Sequence, residues 1–134
     1  MRKLLMGMLG LGLTAAMAVP AFAYQPVVTG NIPFAFTAGD SQLPAGHYQI
    51  GEADITAPVL EIKNLDTGKS VFVPYVTRLA ARAAGDSVVI FDVQGEHKYL
   101  SEVYAGIDDG YYIEGARGMH THSTVKMSNA RKAK

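Results

Sequence analysis

From residue 31 onward, the apolar side chains of this chain recur at every second position. Ile32, Phe34 and Phe36 alternate with Pro33 and Ala35, Tyr48 and Ile50 with Gln49 and Gly51, and Leu60 and Ile62 with Glu61 and Lys63. Successive side chains of a strand point to opposite faces, so this period marks half-buried strands with one face on a core. Two later segments are more uniformly apolar: Val71-Phe72-Val73 with Tyr75 and Val76, and residues 88–93, interrupted only by Asp92. They read as more deeply buried strands. Pro74 has no N–H for a ladder and so requires an edge or a bulge at its position.

Turn chemistry punctuates these runs: Ala38-Gly39-Asp40, Pro44-Ala45-Gly46, Asp66-Thr67-Gly68, Gly85-Asp86, Gly95-Glu96 and Asp108-Asp109-Gly110. Short strands between such turns are the pattern of an antiparallel sandwich or barrel. The predicted fold is all-β: a single antiparallel β-sandwich or partly open barrel of about seven strands. The expected strands cover 31–37, 47–52, 59–64, 69–77, 87–94, 97–105 and 111–115. Alanine-rich residues 78–84 suggest one helical turn, and no amphipathic helix or internal repeat follows residue 24.

The N-terminus has a different pattern. Arg2 and Lys3 precede an apolar stretch over residues 4–19, Pro20 ends it, and Ala21-Phe22-Ala23 places small residues at a cleavage site. These are the three parts of a secretory signal peptide, expected to be helical over residues 1–23. The stretch is short and glycine-rich for a membrane span, which needs about 20 apolar residues, so an uncleaved anchor is the lesser alternative. Residues 24–115 then form the β-sandwich domain and residues 116–134 a basic, largely flexible tail in which 121–127 has the pattern of one further strand. No transmembrane span is expected after cleavage. The expected location is periplasmic or secreted.

There are no cysteines. The domain must hold together by packing alone, and thiolate metal sites, iron–sulfur clusters and thiol nucleophiles are excluded. All 12 acidic residues lie between residues 24 and 114, whereas Arg117, Lys126, Arg131, Lys132 and Lys134 follow with no acid among them. An acidic body with a basic end suits a solvated tail or, as the sharper alternative, a tether to an anionic envelope surface. Nucleic acid is not an expected partner, for want of a dense basic–aromatic patch.

Asp66-Thr67-Gly68 has the form of an aspartic-protease loop, but it joins two short alternating strands where an Asp/Gly hairpin turn is what the geometry demands. Gly68-Lys69-Ser70 fails as a phosphate loop because Lys63 stands where the first glycine is needed. His120-Thr121-His122 is the best metal candidate: in a strand both imidazoles face one side, and Met119 and Met127 nearby would suit copper. Two histidines are too few ligands for a defined site, and no carboxylate follows Glu114, so neither a metal site nor a cofactor is assigned. His47 and His97 are expected at the surface. Ser101, His97 and Asp92 match a serine-hydrolase triad by composition only, without a nucleophile elbow. Asp108-Asp109 reads as a solvated turn. Tyr104, Tyr111 and Tyr112 form the candidate ligand surface, since exposed tyrosines on a sheet stack on sugars or pack on a partner; core or cross-strand packing is the competing assignment.

The run Asn31-Ile32-Pro33-Phe34-Ala35-Phe36 with Leu43-Pro44-Ala45-Gly46-His47-Tyr48, and later Ser87-Val88-Val89-Ile90-Phe91, Gly95 and Tyr99-Leu100-Ser101, resembles a family of small exported soil-bacterial proteins with an IPFxF…LPAGxY opening. The resemblance spans most of residues 28–105. It implies an all-β envelope protein and supplies no catalytic residues, and the His-Thr-His segment falls outside its pattern. In the shared element Pro44 presets φ, Gly46 is expected to take a left-handed conformation, and Leu43 and Tyr48 clamp the loop to the core. The functional expectation is an exported, non-enzymatic binding or structural module of the cell envelope, with an envelope polysaccharide or another envelope protein as partner. The alternatives are a periplasmic metal-binding protein using His120 and His122 and, less favoured, a hydrolase.

Overall fold

The computed structural model describes residues 25–54 and 56–129, and the expected signal peptide lies outside them. Twelve strands follow one another among the described residues: β1 (Gln25–Ile32), β2 (Phe36–Ala38), β3 (Ser41–Leu43), β4 (Gly46–Asp54), β5 (Val59–Asn64), β6 (Ser70–Pro74), β7 (Thr77–Leu79), β8 (Val88–Gln94), β9 (His97–Tyr104), β10 (Gly110–Tyr112), β11 (Thr121–Lys126) and β12 (Ser128–Asn129). They form two sheets that do not close into a barrel. The first runs β12-β1-β4-β5-β6; the second runs β11-β8-β9-β10-β7, with β2 on β9 and β3 on β2. Among the described residues no helix is long and apolar enough to cross a membrane.

The all-β expectation holds, but two of the expected strands each prove to be two. The 31–37 segment splits at Pro33, with β1 in the first sheet and β2 in the second. The 69–77 segment splits after Pro74 in the same way, into β6 and β7. A proline cannot continue the ladder, and at both places the chain steps from one sheet to the other. The apolar period survives the step because the core lies between the sheets. Phe34 and Phe36 both meet Phe91, edge to face, at 5.0 and 5.3 Å between ring centroids. The helical turn expected over 78–84 is absent, for Thr77–Leu79 pairs with β10.

Sequence periodicity also misses the start of β1. A bulge between Pro26 and Val28 lets the adjacent Val27 and Val28 both be buried, which breaks alternation. The core itself consists of Ile32, Phe36, Tyr48, Ile50, Leu60, Ile62, Phe91, Leu100, Val103 and Ile113 with smaller neighbours. At about 25 cal/mol per Å² of apolar surface, each large side chain here contributes about 1.5–3 kcal/mol, which serves in place of disulfides.

Residues 121–129 of the expected tail form two strands, where one over 121–127 was expected. β11 pairs with β8 in register His122↔Asp92, and β12 pairs with β1 through Val28↔Asn129. Val125 and Met127 pack against the core from this segment. The basic residues 130–134 lie outside the described residues.

A candidate metal centre on the second sheet

The chain leaves β10 on one side of β9 and returns as β11 on the far side of β8, so after the core residue Ile113 the segment 114–120 crosses the outer face of the second sheet. The Ile113 N–H donates to the Ser101 carbonyl at 2.7 Å. Gly115 then lies directly over Asp92: a Cβ at this position would stand 2.3 Å from Asp92 Oδ2 and 3.2 Å from Ser101 Cβ. Only glycine permits the strap to come this close. The Ala116 N–H donates to Asp92 Oδ2 at 3.1 Å, and Gln94 Nε2 donates to the carbonyls of Arg117 and Met119 at 2.7 and 3.2 Å.

This strap buries Asp92, which is 4% exposed. Its second oxygen, Oδ1, is buried with no hydrogen-bond partner among the described residues. Two imidazole nitrogens face it, His122 Nδ1 at 3.2 Å and His120 Nε2 at 3.5 Å. The pairing register explains the convergence: His122 lies opposite Asp92, and His120 is two residues away on the same face. The imidazole rings meet edge to face at 5.1 Å. His120 Nδ1 sits 2.8 Å from the Gly118 carbonyl, which can only accept, so this nitrogen carries a proton and Nε2 is the ring nitrogen that faces Asp92.

The three ligand atoms lie within 4.8 Å of one another. Two atoms bound at about 2.0–2.1 Å to a tetrahedral ion stand about 3.3 Å apart; the two carboxylate–imidazole separations are close to that value, while the two imidazoles must draw together to share one ion. A buried acceptor left unsatisfied costs about 1–3 kcal/mol, and more when charged, so Oδ1 calls for a positive partner, which a protonated imidazole or a bound cation would supply. His120 and His122 were legible as a pair in the sequence. The third ligand came from a different strand, and its one local signal was a lone acid inside the apolar run of β8.

The other candidates are placed differently. Met127 is turned inward against Gly30, away from the histidines, while Met119 is 91% exposed. Ser101 is buried at a bulge between Ile90 and Phe91 pairings, and His97 is exposed at the β8–β9 turn. Asp66 is a turn residue: Asn64 Oδ1 accepts from the Asp66 and Thr67 N–H groups at 2.8 and 3.1 Å, and Gly68 takes φ 83°. Its carboxylate accepts from the His47 N–H at 3.0 Å, which holds its pKa below the usual carboxylate range. Gly46 does not have the left-handed conformation expected of it. It is glycine for space, since a Cβ would meet Asp66 Oδ2 at 2.9 Å. Leu43 and Tyr48 do flank the loop, and the Tyr48 hydroxyl donates to the Pro44 carbonyl at 2.6 Å.

The three tyrosines do not share a free face. Tyr111 is buried against Tyr75, with Arg78 over its ring at 4.4 Å, and burial, followed by Glu52, pushes its pKa up to about 12. Tyr104 lies over Gly110 and donates to Glu102 Oε1 at 2.6 Å; burial and then Glu102 push its pKa up to about 12 as well. Tyr112 is half-buried beside Glu102. Cross-strand packing accounts for Tyr111 and Tyr104.

The fold and this cluster together describe a β-sandwich with an Asp/His/His site beneath a crossing strap. Comparison with protein-family models, with curated proteins and with solved structures finds no match to the chain.

Proposed function

We propose that this is an exported, non-enzymatic β-sandwich of the cell envelope that binds one divalent transition-metal ion through Asp92, His120 and His122. The observation that carries the reading is Asp92 Oδ1, buried, without a hydrogen bond, and facing two imidazole nitrogens at 3.2 and 3.5 Å. The donor set selects the ion class. Two imidazoles and one carboxylate suit Zn²⁺, Cu²⁺ or Ni²⁺, whereas Ca²⁺ and Mg²⁺ require shells of oxygen. Export rests on the leader pattern of residues 1–23. The non-enzymatic part draws support from Asp66 and Ser101, the two residues with the look of a reaction centre, which serve a turn and a buried bulge.

Isothermal titration of untagged protein with Zn²⁺ and Cu²⁺ tests this reading. One equivalent is expected to bind to the wild type. Equal binding by the His120→Ala/His122→Ala variant, or none by either protein, would overturn it.

A further inference from the structure

We infer that the ion, whose binding is the reading proposed above, is a reversible latch that controls the seam formed by residues 121–129. This run closes both sheets at one side of the sandwich. β11 covers the β8 edge, the Met127 N–H donates to the Ser87 carbonyl at 2.9 Å, and β12 covers the β1 edge. The seam has few apolar anchors among its own side chains. Thr121, His122, Thr124, Lys126 and Ser128 are exposed, and only Val125 and Met127 pack against the core. Few buried apolar contacts and an edge position mark a segment that opens locally at low free-energy cost.

The site is placed where the seam is fastened. Asp92 belongs to β8, next to the fully buried Phe91; its Oδ2 holds the strap through Ala116, and its Oδ1 faces His120 at the end of the strap and His122 in β11. An ion there ties a core strand, the crossing strap and the seam together at one point. In the ion-free protein the same carboxylate works the other way, because the closed seam leaves a buried oxygen unpaired and opening returns it to water. Ion binding and seam closure therefore favour each other reciprocally. Three protein ligands, where a permanent structural site closes its shell with four, leave one position to water and keep the ion exchangeable. The latch thus responds to the free metal concentration.

Hydrogen exchange of the untagged wild type, with and without Zn²⁺, tests this, run beside the titration above. At free Zn²⁺ about 100 times Kd, an ion that binds only the closed seam lowers its opening equilibrium about 100-fold. Amides of 121–129 are expected to slow toward that limit, while those of the β4–β5 pair stay unchanged. The His120→Ala/His122→Ala variant, altered only at surface positions, is expected to keep the fast exchange of the ion-free wild type whether or not Zn²⁺ is present. If Zn²⁺ binds with one equivalent but leaves exchange of 121–129 unaltered, the latch is refuted and the metal site stands. Equal slowing in wild type and variant would refute the latch by assigning the effect to ions elsewhere. No binding would remove both.

Discussion

Among the described residues aspartate is paired with histidine at two places, and the two pairings differ in character. Asp66 and His47 meet at the surface, where both carboxylate oxygens are engaged: Oδ2 accepts the His47 N–H, and Oδ1 lies 3.3 Å from the His47 ring. Asp92 meets His120 and His122 beneath the strap, and one of its oxygens has no hydrogen bond. The first pairing is complete within the protein and in contact with water. In the second the carboxylate is buried while both imidazoles reach water, and Oδ1 faces them without a hydrogen bond. Residue type is the same in both, so burial combined with an unmet valence is what separates a turn from a site.

The largest expected effect distinguishes the two pairings by metal. Replacing His120 and His122 with alanine is expected to weaken Zn²⁺ binding by about 100-fold or more, since loss of outer-shell partners alone costs up to that. Asp66→Asn should leave the titration unchanged; a drop there would move the site to the wrong aspartate. Next in size is the pair of glycines that makes room for each carboxylate. Gly115→Ala thrusts a methyl group into buried Asp92 and is expected to cost about 1–3 kcal/mol in denaturant unfolding, with weaker Zn²⁺ binding besides. Gly46→Ala meets the exposed Asp66 side chain, which is free to swing away, so about 0.5 kcal/mol or less is expected. Equal losses would erase the distinction between the two environments.

An effect between those two belongs to the turn alone. Tyr48→Phe removes the hydroxyl that donates to Pro44 and accepts from Asn64 Nδ2 at 3.1 Å, and should cost about 1 kcal/mol without touching metal affinity. The smallest is the acid dependence of Asp66. Its folded pKa is depressed by the His47 N–H, so its contribution is present above the unfolded carboxylate pKa and disappears as pH falls through the folded value. Acid-unfolding curves of wild type and Asp66→Asn should converge at the low end of that window. Divergence that grows toward low pH would show the sign to be wrong.

Much of the sandwich was readable from periodicity, because a strand with one face on a core writes its burial into every second residue. β5 alternates over its whole length and has the predicted bounds, and β8 and β9 come within a residue. Failures fell where local pattern and sheet membership part. The Ile32-Phe34-Phe36 period runs through a change of sheet unbroken, because both sheets face the same interior. Gly46 looked like a conformational glycine and is a steric one, a distinction that depends on Asp66 arriving from another hairpin.

The site divides along the same line. His120 and His122 share a face by local geometry, which sequence displays directly. Their carboxylate is supplied by the register of β11 on β8, a pairing set by tertiary structure and invisible to any short window. Asp92 itself did carry a signal. An ionisable residue in the middle of Val88-Val89-Ile90-Phe91 and Val93 must find a partner when buried, and the nearest surplus of imidazole lay in the segment expected to be a flexible tail.

The pairing of β1 with β12 sets Val28 beside Asn129, so the first and last strands described here run antiparallel as neighbours at one sheet margin. Joining them by a short linker and cutting the polypeptide at an exposed turn such as Gly95-Glu96 would yield a circular permutant with the same neighbours throughout. In such a rearranged chain the former terminus is tethered covalently, and its attachment no longer depends on which ions the surroundings provide.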